Sequence, residues 1–197
     1  MPRVAPNRVA WRFTAAVPFM VLFLATLLAA QQAPSLGPAD WYDRLAPYVP
    51  TPMVVVEDML KLAQVDRYDR VYDLGSGDGR IVIMAAQKFG AEAVGVELDD
   101  RLASESAARI VELGLQKRAK ILRANMYEVD LRRATVVTLY LLTSVNERLK
   151  PILEKTLRKG ARVVCHDFKV PGWEAEKTVT VVSDSGVSHT LFLYVRH

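Results

Sequence analysis

The residues best suited to chemistry lie in one short stretch, Val71-Tyr72-Asp73-Leu74-Gly75-Ser76-Gly77-Asp78-Gly79-Arg80. Glycines between an apolar run and a helix let backbone approach a ligand closely, and the helix start offers free N–H groups. The spacing is G-x-G-x-G. A dinucleotide fingerprint needs its third glycine at position 80, which is Arg80, and no Gly-Lys-Ser/Thr follows to make a phosphate loop. The carboxylate of Asp73 would repel a pyrophosphate but suits a cationic amino group. About twenty residues past the glycines, Glu97 ends the next apolar run, at the distance where an acidic side chain takes two ribose hydroxyls. Together the two carboxylates describe a nucleoside that is positively charged at its far end, and S-adenosylmethionine fits. An ordinary strand-to-helix turn also uses glycine, and strand ends are often solvated. The order of Asp73, three glycines and Glu97 within alternating elements nevertheless favours a site. Asp99 and Asp100 are read as caps for the helix that follows.

The elements that must position these residues alternate in type. An amphipathic helix is expected over Met53–Ala63, then a strand at Val71–Leu74, a helix at Arg80–Phe89 and a strand at Ala93–Val96. A helix at Arg101–Leu113, ended by Gly114, leads to a strand at Ala119–Leu122. The most apolar strand, Val136–Leu142, is followed by a helix at Asn146–Leu157, stopped near Gly160, and a strand at Ala161–Cys165. This alternation predicts an α/β fold, a mostly parallel sheet with helices on both faces. Thr178–Val182 and Thr190–Val195 flank Asp184-Ser185-Gly186 and read as an antiparallel hairpin at the sheet edge.

From Pro47 to the C-terminus the chain resembles the class I methyltransferases. More narrowly, Tyr48-Val49-Pro50-Thr51-Pro52, the helix Val55–Leu62, Asp73 to Arg80, Gly95-Val96-Glu97-Leu98-Asp99 and Val136–Leu141 resemble a family of small protein-lysine methyltransferases. That family includes mitochondrial enzymes acting on the ATP synthase c-subunit and the adenine nucleotide translocase. The resemblance implies a Rossmann-like, seven-stranded sheet with an antiparallel last strand, S-adenosylmethionine as methyl donor and lysine as acceptor. Asp73, Gly75, Gly77, Gly79 and Glu97 are then cofactor-binding residues. Such enzymes often place an acidic residue after the third strand to meet the adenine amino group, whereas this chain has Ala124-Asn125-Met126; the amide oxygen of Asn125 can accept that hydrogen bond instead.

Methyl transfer from a sulfonium needs a neutral nucleophile held in line, so positioning and exclusion of water dominate. A dry aromatic slot would lower the pKa of a lysine ammonium by penalising its charge. Tyr48, in a proline-rich arm with no periodic reason to be core, is a candidate together with Thr51. Tyr140, ending the fourth strand, lies where open α/β sheets place ligands. Phe168 and Trp173 read as packing residues and Cys165 as a small core residue; His166 with Asp167 could offer a base, but a strand-end histidine reads first as solvated or structural. The Asn-Pro-Pro-aromatic sequence that exocyclic base amines call for is absent.

Phe13 to Ala30 carry no charge, and eighteen helical residues reach about 27 Å, just short of the hydrocarbon thickness. The basic flank with small residues at Ala29, Ala30 and Ala33 suits a cleavable signal peptide, the length and Trp11 suit a retained anchor, and the arginine-containing, acid-free start is also compatible with a mitochondrial-type presequence. Residues 31–46 then form a linker, and 47–197 the methyltransferase domain. Arg3, Arg8 and Arg12 ahead of the run place the domain outward by the positive-inside rule, whereas cofactor supply places it toward the cytoplasm. The expectation is a membrane-associated domain facing the cytoplasm, the alternative an exported one. Removing those three arginines from the formal charge of +4 leaves +1, so the domain is nearly neutral and no nucleic-acid partner is expected. The single Cys165 excludes a disulfide framework within the chain, and with no Cys/His zinc pattern no metal is expected. The expected partner is a membrane-embedded or membrane-proximal protein; a binding module that keeps the fold without turnover is the alternative.

Overall fold

The computed structural model describes residues 48–197; the apolar segment and the linker at 31–46 lie outside them. Helix α1 (Met53–Leu62) is followed by β1 (Arg70–Leu74), α2 (Arg80–Lys88), β2 (Glu92–Glu97), α3 (Asp100–Glu112) and β3 (Ala119–Arg123). A single 3-10 turn, Met126–Glu128, leads to β4 (Val136–Leu139), α4 (Thr143–Thr156), β5 (Arg162–His166), β6 (Lys177–Val182) and β7 (Ser188–Val195). One seven-stranded sheet has the order β3-β2-β1-β4-β5-β7-β6. Strands β1 to β5 pair in parallel, and β7 runs antiparallel to both β5 and β6, so the last strand is inserted beside β5 and the hairpin closes the edge.

Two apolar layers follow from strand alternation. Val71, Ala93, Val136 and Val164 face a layer built by Val55, Val56, Met59 and Leu60 of α1, the buried side of α2, and Ile110 of α3. Tyr72, Val94, Val137, Val163 and Cys165 face the other layer, where Val145, Leu149 and Leu153 of α4 are the helical contribution. The remainder of that face is covered by irregular chain, including Leu131, Trp173 and Ala175. Helices thus lie on both faces, but unequally. At the end of the sheet away from the glycine loop, Asp69 ties the strands together: its carboxylate pairs with Arg162 and accepts from Thr135 Oγ1 at 2.6 Å.

Most boundaries lie within two residues of expectation; two are displaced by three, for one reason. Strand β4 stops at Leu139 instead of Leu142, because its partner β1 ends at Leu74, where the glycine loop turns away. The freed Leu142 carbonyl accepts from the N–H groups of Val145 and Asn146, opening α4 at Thr143 rather than at Asn146. Asp99 caps α3 as expected, accepting from Leu102 N at 2.9 Å. Among the described residues no helix is long and apolar enough to cross a membrane.

Candidate active site

Backbone fixes the glycine loop before any side chain contributes. The N–H groups of Gly75 and Ser76 both donate to the Val96 carbonyl on β2, at 2.9 and 3.0 Å. That approach requires Gly95, where a Cβ would lie 2.5 Å from Ser76 Oγ and 2.7 Å from Ile121 Cδ1. Gly77 N–H donates to Glu97 Oε2 at 2.7 Å, while Glu97 Oε1 accepts from Leu98 and Asp99 N–H at 2.9 Å each. Three N–H donors therefore orient a half-buried carboxylate whose remaining lone pairs can accept from hydroxyls.

Asp73 is buried, and its Oδ1 accepts from Thr138 Oγ1 at 2.7 Å. Burial pushes its carboxyl up to about 7; the Thr138 hydrogen bond opposes this, and the charges of Glu97 and Asp78 add to it. Three carboxylates around one loop reject a pyrophosphate and attract a cation. The donor set thus fits S-adenosylmethionine, which carries both an ammonium and a sulfonium.

Over this loop lies the proline-rich arm. Gly77 has φ +53, and a Cβ there would be 2.5 Å from Tyr48 Cε2, so the Tyr48 ring rests on the glycine itself. Burial and the neighbouring Asp78 raise the Tyr48 phenol above its usual range. Arg80 forks onto Asp78, with Nε 2.9 Å from Oδ1 and Nη2 2.6 Å from Oδ2, and its Nη1 donates to the Thr51 carbonyl at 2.7 Å. Against the opposing effect of burial, this guanidinium holds the Asp78 carboxyl below the usual range. The residue that breaks the dinucleotide fingerprint is thus the clip between arm and loop.

Beneath the arm, Thr51 Oγ1 lies 3.2 Å from His166 Nδ1. His166 is 0% exposed and stacks on Tyr140 with ring centroids 3.8 Å apart; Phe168 stacks more distantly on Tyr140, at 6.2 Å. Burial, with a smaller contribution from His189, lowers the His166 pKa to about 4, and Asp167 acts in the opposite sense. Tyr140 is half-buried, and burial and Asp167 raise its phenol. Asn146 of α4 donates to the Phe168 carbonyl at 3.0 Å and fixes the turn after β5.

Asp73, Gly75, Gly77, Glu97, Tyr48, Thr51 and Tyr140 therefore gather at the carboxyl ends of the strands. Gly79 does not face the same way: a Cβ there would meet Ser106 at 3.0 Å and Ile121 at 3.5 Å, so close packing requires this glycine. The Asn125 amide oxygen already accepts Tyr127 N–H at 3.0 Å, capping the 3-10 turn. Trp173 donates to Glu154 at 2.9 Å and packs edge-on to Tyr194, as a structural residue. Of the two readings offered for His166, solvated or structural, burial removes the first: the ring is fully enclosed, with Nδ1 against Thr51. Sequence spacing alone assigns no role to Arg80, Gly95 or His189. An isolated glycine inside a strand signals close backbone approach and would have marked Gly95; nothing local marks His189.

Residues 73–177 match the family model described as the ANTKMT methyltransferase domain. A protein-lysine N-methyltransferase of Saccharolobus islandicus (strain REY15A) is 53% identical over 150 residues, covering 76% of this chain and 92% of the relative. The lysine N-methyltransferase of the ATP synthase c-subunit from Rattus norvegicus is 36% identical over 132 residues, covering 67% of this chain and 60% of the relative. Among solved structures, an RNA methyltransferase from Salinibacter ruber in complex with S-adenosyl-L-homocysteine superposes with a TM-score of 0.70 at 45% identity. The match covers 75% of this chain and 93% of that one.

Proposed function

The chain belongs to the ANTKMT methyltransferase domain family and is an S-adenosylmethionine-dependent methyltransferase, and from that premise we propose that it methylates lysine side chains of membrane-associated proteins. The observation that carries the geometric side of this reading is the clip. Arg80 joins the Thr51 carbonyl to Asp78, so the arm bearing Tyr48 and Thr51 is bound to the same loop that presents Asp73 and Glu97. When bound, the cofactor supplies a methyl group activated on a sulfonium. In this reading Asp73 receives its ammonium, Glu97 its ribose hydroxyls, and the Gly75–Gly77 backbone lies against it. Tyr48, Thr51 and Tyr140 flank the acceptor amine, exclude water and hold its lone pair in line.

The N-terminal apolar run supports the membrane part, because holding enzyme and acceptor at one surface raises their effective concentration without new contacts. The name of the rat relative points to acceptors of the same kind. A cytoplasm-facing domain follows from cofactor supply; protease added to intact right-side-out vesicles should leave it uncut, and ready digestion overturns that orientation. An RNA acceptor is the second reading, favoured by the name of the S. ruber structure. Tritiated S-adenosylmethionine incubated with isolated membranes and with total RNA separates the two. Label recovered as methyl-lysine after acid hydrolysis is the expected result, and label confined to nucleotides rejects the lysine reading.

A further inference from the structure

Beside the cofactor half runs a line of hydrogen bonds that methyl transfer itself does not use. Thr51 Oγ1 is 3.2 Å from His166 Nδ1, and His166 Nε2 is 3.3 Å from Asp167 Oδ2. His189 Nδ1 lies 2.9 Å from that Nε2 and 3.1 Å from the same carboxylate oxygen. Asp167 Oδ1 accepts Thr190 N–H at 2.7 Å, and Asp167 sits in the left-handed region at φ 57.

Charge assigns the protons. A lone pair on His166 Nε2 would face the Asp167 carboxylate, so Nε2 carries hydrogen and donates to it. His189 Nδ1–H donates to the same oxygen. This leaves His189 Nε2, which is buried without a partner, as a bare lone pair rather than a more costly unpaired N–H. His166 Nδ1 must then be an acceptor, and the Thr51 hydroxyl donates into it. The Thr51 oxygen is left able to accept from a second donor. The titratable groups packed on the His166 ring are Asp167 just past the end of its own strand, His189 from β7 and Tyr140 just past β4. Burial keeps the ring neutral, so it can pass a proton without trapping one.

Resting on the lysine reading above, we infer that Thr51, His166 and Asp167 form the path by which the acceptor ammonium loses its proton before methyl transfer. The ammonium N–H bond breaks as the Thr51 oxygen takes the proton, and the hydroxyl hydrogen of Thr51 passes to His166 Nδ1. The hydrogen on His166 Nε2 passes to Asp167, whose side chain is 30% exposed and hands it to water. One proton leaves the amine, one reaches solvent, and the imidazole is neutral before and after. Once the methylated product has left, Asp167 returns a proton taken from solvent to His166 Nε2 while Nδ1 gives its hydrogen through Thr51 to a water in the slot, and the starting tautomer is restored. His166 and Asp167 act through Thr51 and are positioning residues.

Two variants of the full chain test this. Asp167→Asn preserves shape, and asparagine tolerates the left-handed backbone, while His166→Gln keeps hydrogen bonds but cannot relay a proton. The readouts are cofactor affinity by calorimetry and, at saturating S-adenosylmethionine, the rate of methyl-lysine formation in isolated membranes between pH 7 and 9.5. Both variants should bind the cofactor within about twofold of the wild type and be slower at pH 7 by about 100-fold. The deficit should shrink about tenfold per pH unit toward the ordinary lysine pKa of about 10.4, because the amine then arrives neutral. A purely structural role would lower the rate equally at every pH, and that outcome, or full activity in both variants, overturns the path. A stoichiometric divalent cation between His166, Asp167 and His189 on elemental analysis also overturns it, since an ion would occupy the lone pairs the path needs. If the wild type itself forms no methyl-lysine, the acceptor reading falls and the path with it. Methyl-lysine from the wild type with a pH-independent deficit sinks the path alone.

Discussion

The two halves of the strand edge are built in opposite ways. The half around β1 and β2 takes its carboxylates and glycines from Asp73 to Glu97, and its bonds, such as Gly77 N–H to Glu97, join neighbouring elements. The half around β4 and β5 takes Thr51 from the arm, Tyr140 from the turn after β4, His166 from the end of β5 and His189 from the terminal hairpin. The first is a local loop whose conformation glycine permits, and the second exists only once the sheet has closed. The lesson is that the two should respond separately to substitution, except at the groups that join them.

Gly77→Val should be the most damaging change, because it strikes such a junction. Its φ of +53 is strained for a β-branched residue, and the new Cβ would meet the Tyr48 ring at 2.5 Å. Cofactor binding and turnover should both be lost, with calorimetry showing at least a 100-fold weaker affinity; retained affinity with lost turnover would mean that only the arm matters there. Arg80→Ala comes next. It removes a bidentate pair and the Thr51 clip, so turnover should fall about 10- to 100-fold, in keeping with about 1.5–3 kcal/mol for a charged hydrogen bond, while cofactor affinity changes less than tenfold. Equal losses in both would show that the halves are not separable.

Asp73→Asn acts on the local half alone. A carboxyl pushed up to about 7 must ionise to receive a cation, so cofactor binding should release a proton near pH 6, seen as a calorimetric enthalpy that depends on the buffer. The variant should release none and bind on the order of 1–3 kcal/mol more weakly at pH 7.5. The stability effect has the opposite sign. Because the folded pKa of Asp73 is raised, its contribution is full below the unfolded value near 4 and is lost as pH rises toward 7. The cofactor-free variant should therefore gain melting temperature at pH 7.5 relative to the wild type, and less so at pH 4.5. His166 runs the other way: its folded pKa is lowered, so stability is full above about 6.5 and is lost as pH falls toward 4. Acid melting curves of Asp73→Asn should expose this histidine-dependent loss. The smallest change is Asn125→Ala, which removes the cap on one 3-10 turn. It should cost about 1 kcal/mol by denaturant titration and alter cofactor affinity only a few-fold.

How much of this was legible in the chain follows the same division. Alternation of apolar runs predicted every strand of the parallel sheet, and the order Asp73, Gly75, Gly77, Glu97 predicted one side of the site, because these features depend on neighbours in sequence. Strand and helix ends were misplaced where a partner decided them: β4 stops at Leu139 because β1 stops at Leu74.

By itself, then, the sequence determined the alternating fold, the cationic preference of the glycine loop and the resemblance that names its cofactor. Only the tertiary structure decided that Arg80 is a clip, that Gly79 packs against Ser106, that Asn125 caps a 3-10 turn, and that His166 is buried between Thr51 and His189. The reason is physical. A turn conformation or a hydrophobic period is a property of a few consecutive residues, whereas burial and proton placement on an imidazole depend on what distant segments bring to it. In this chain those segments are the arm and the last hairpin, 115 residues before His166 and 23 after it.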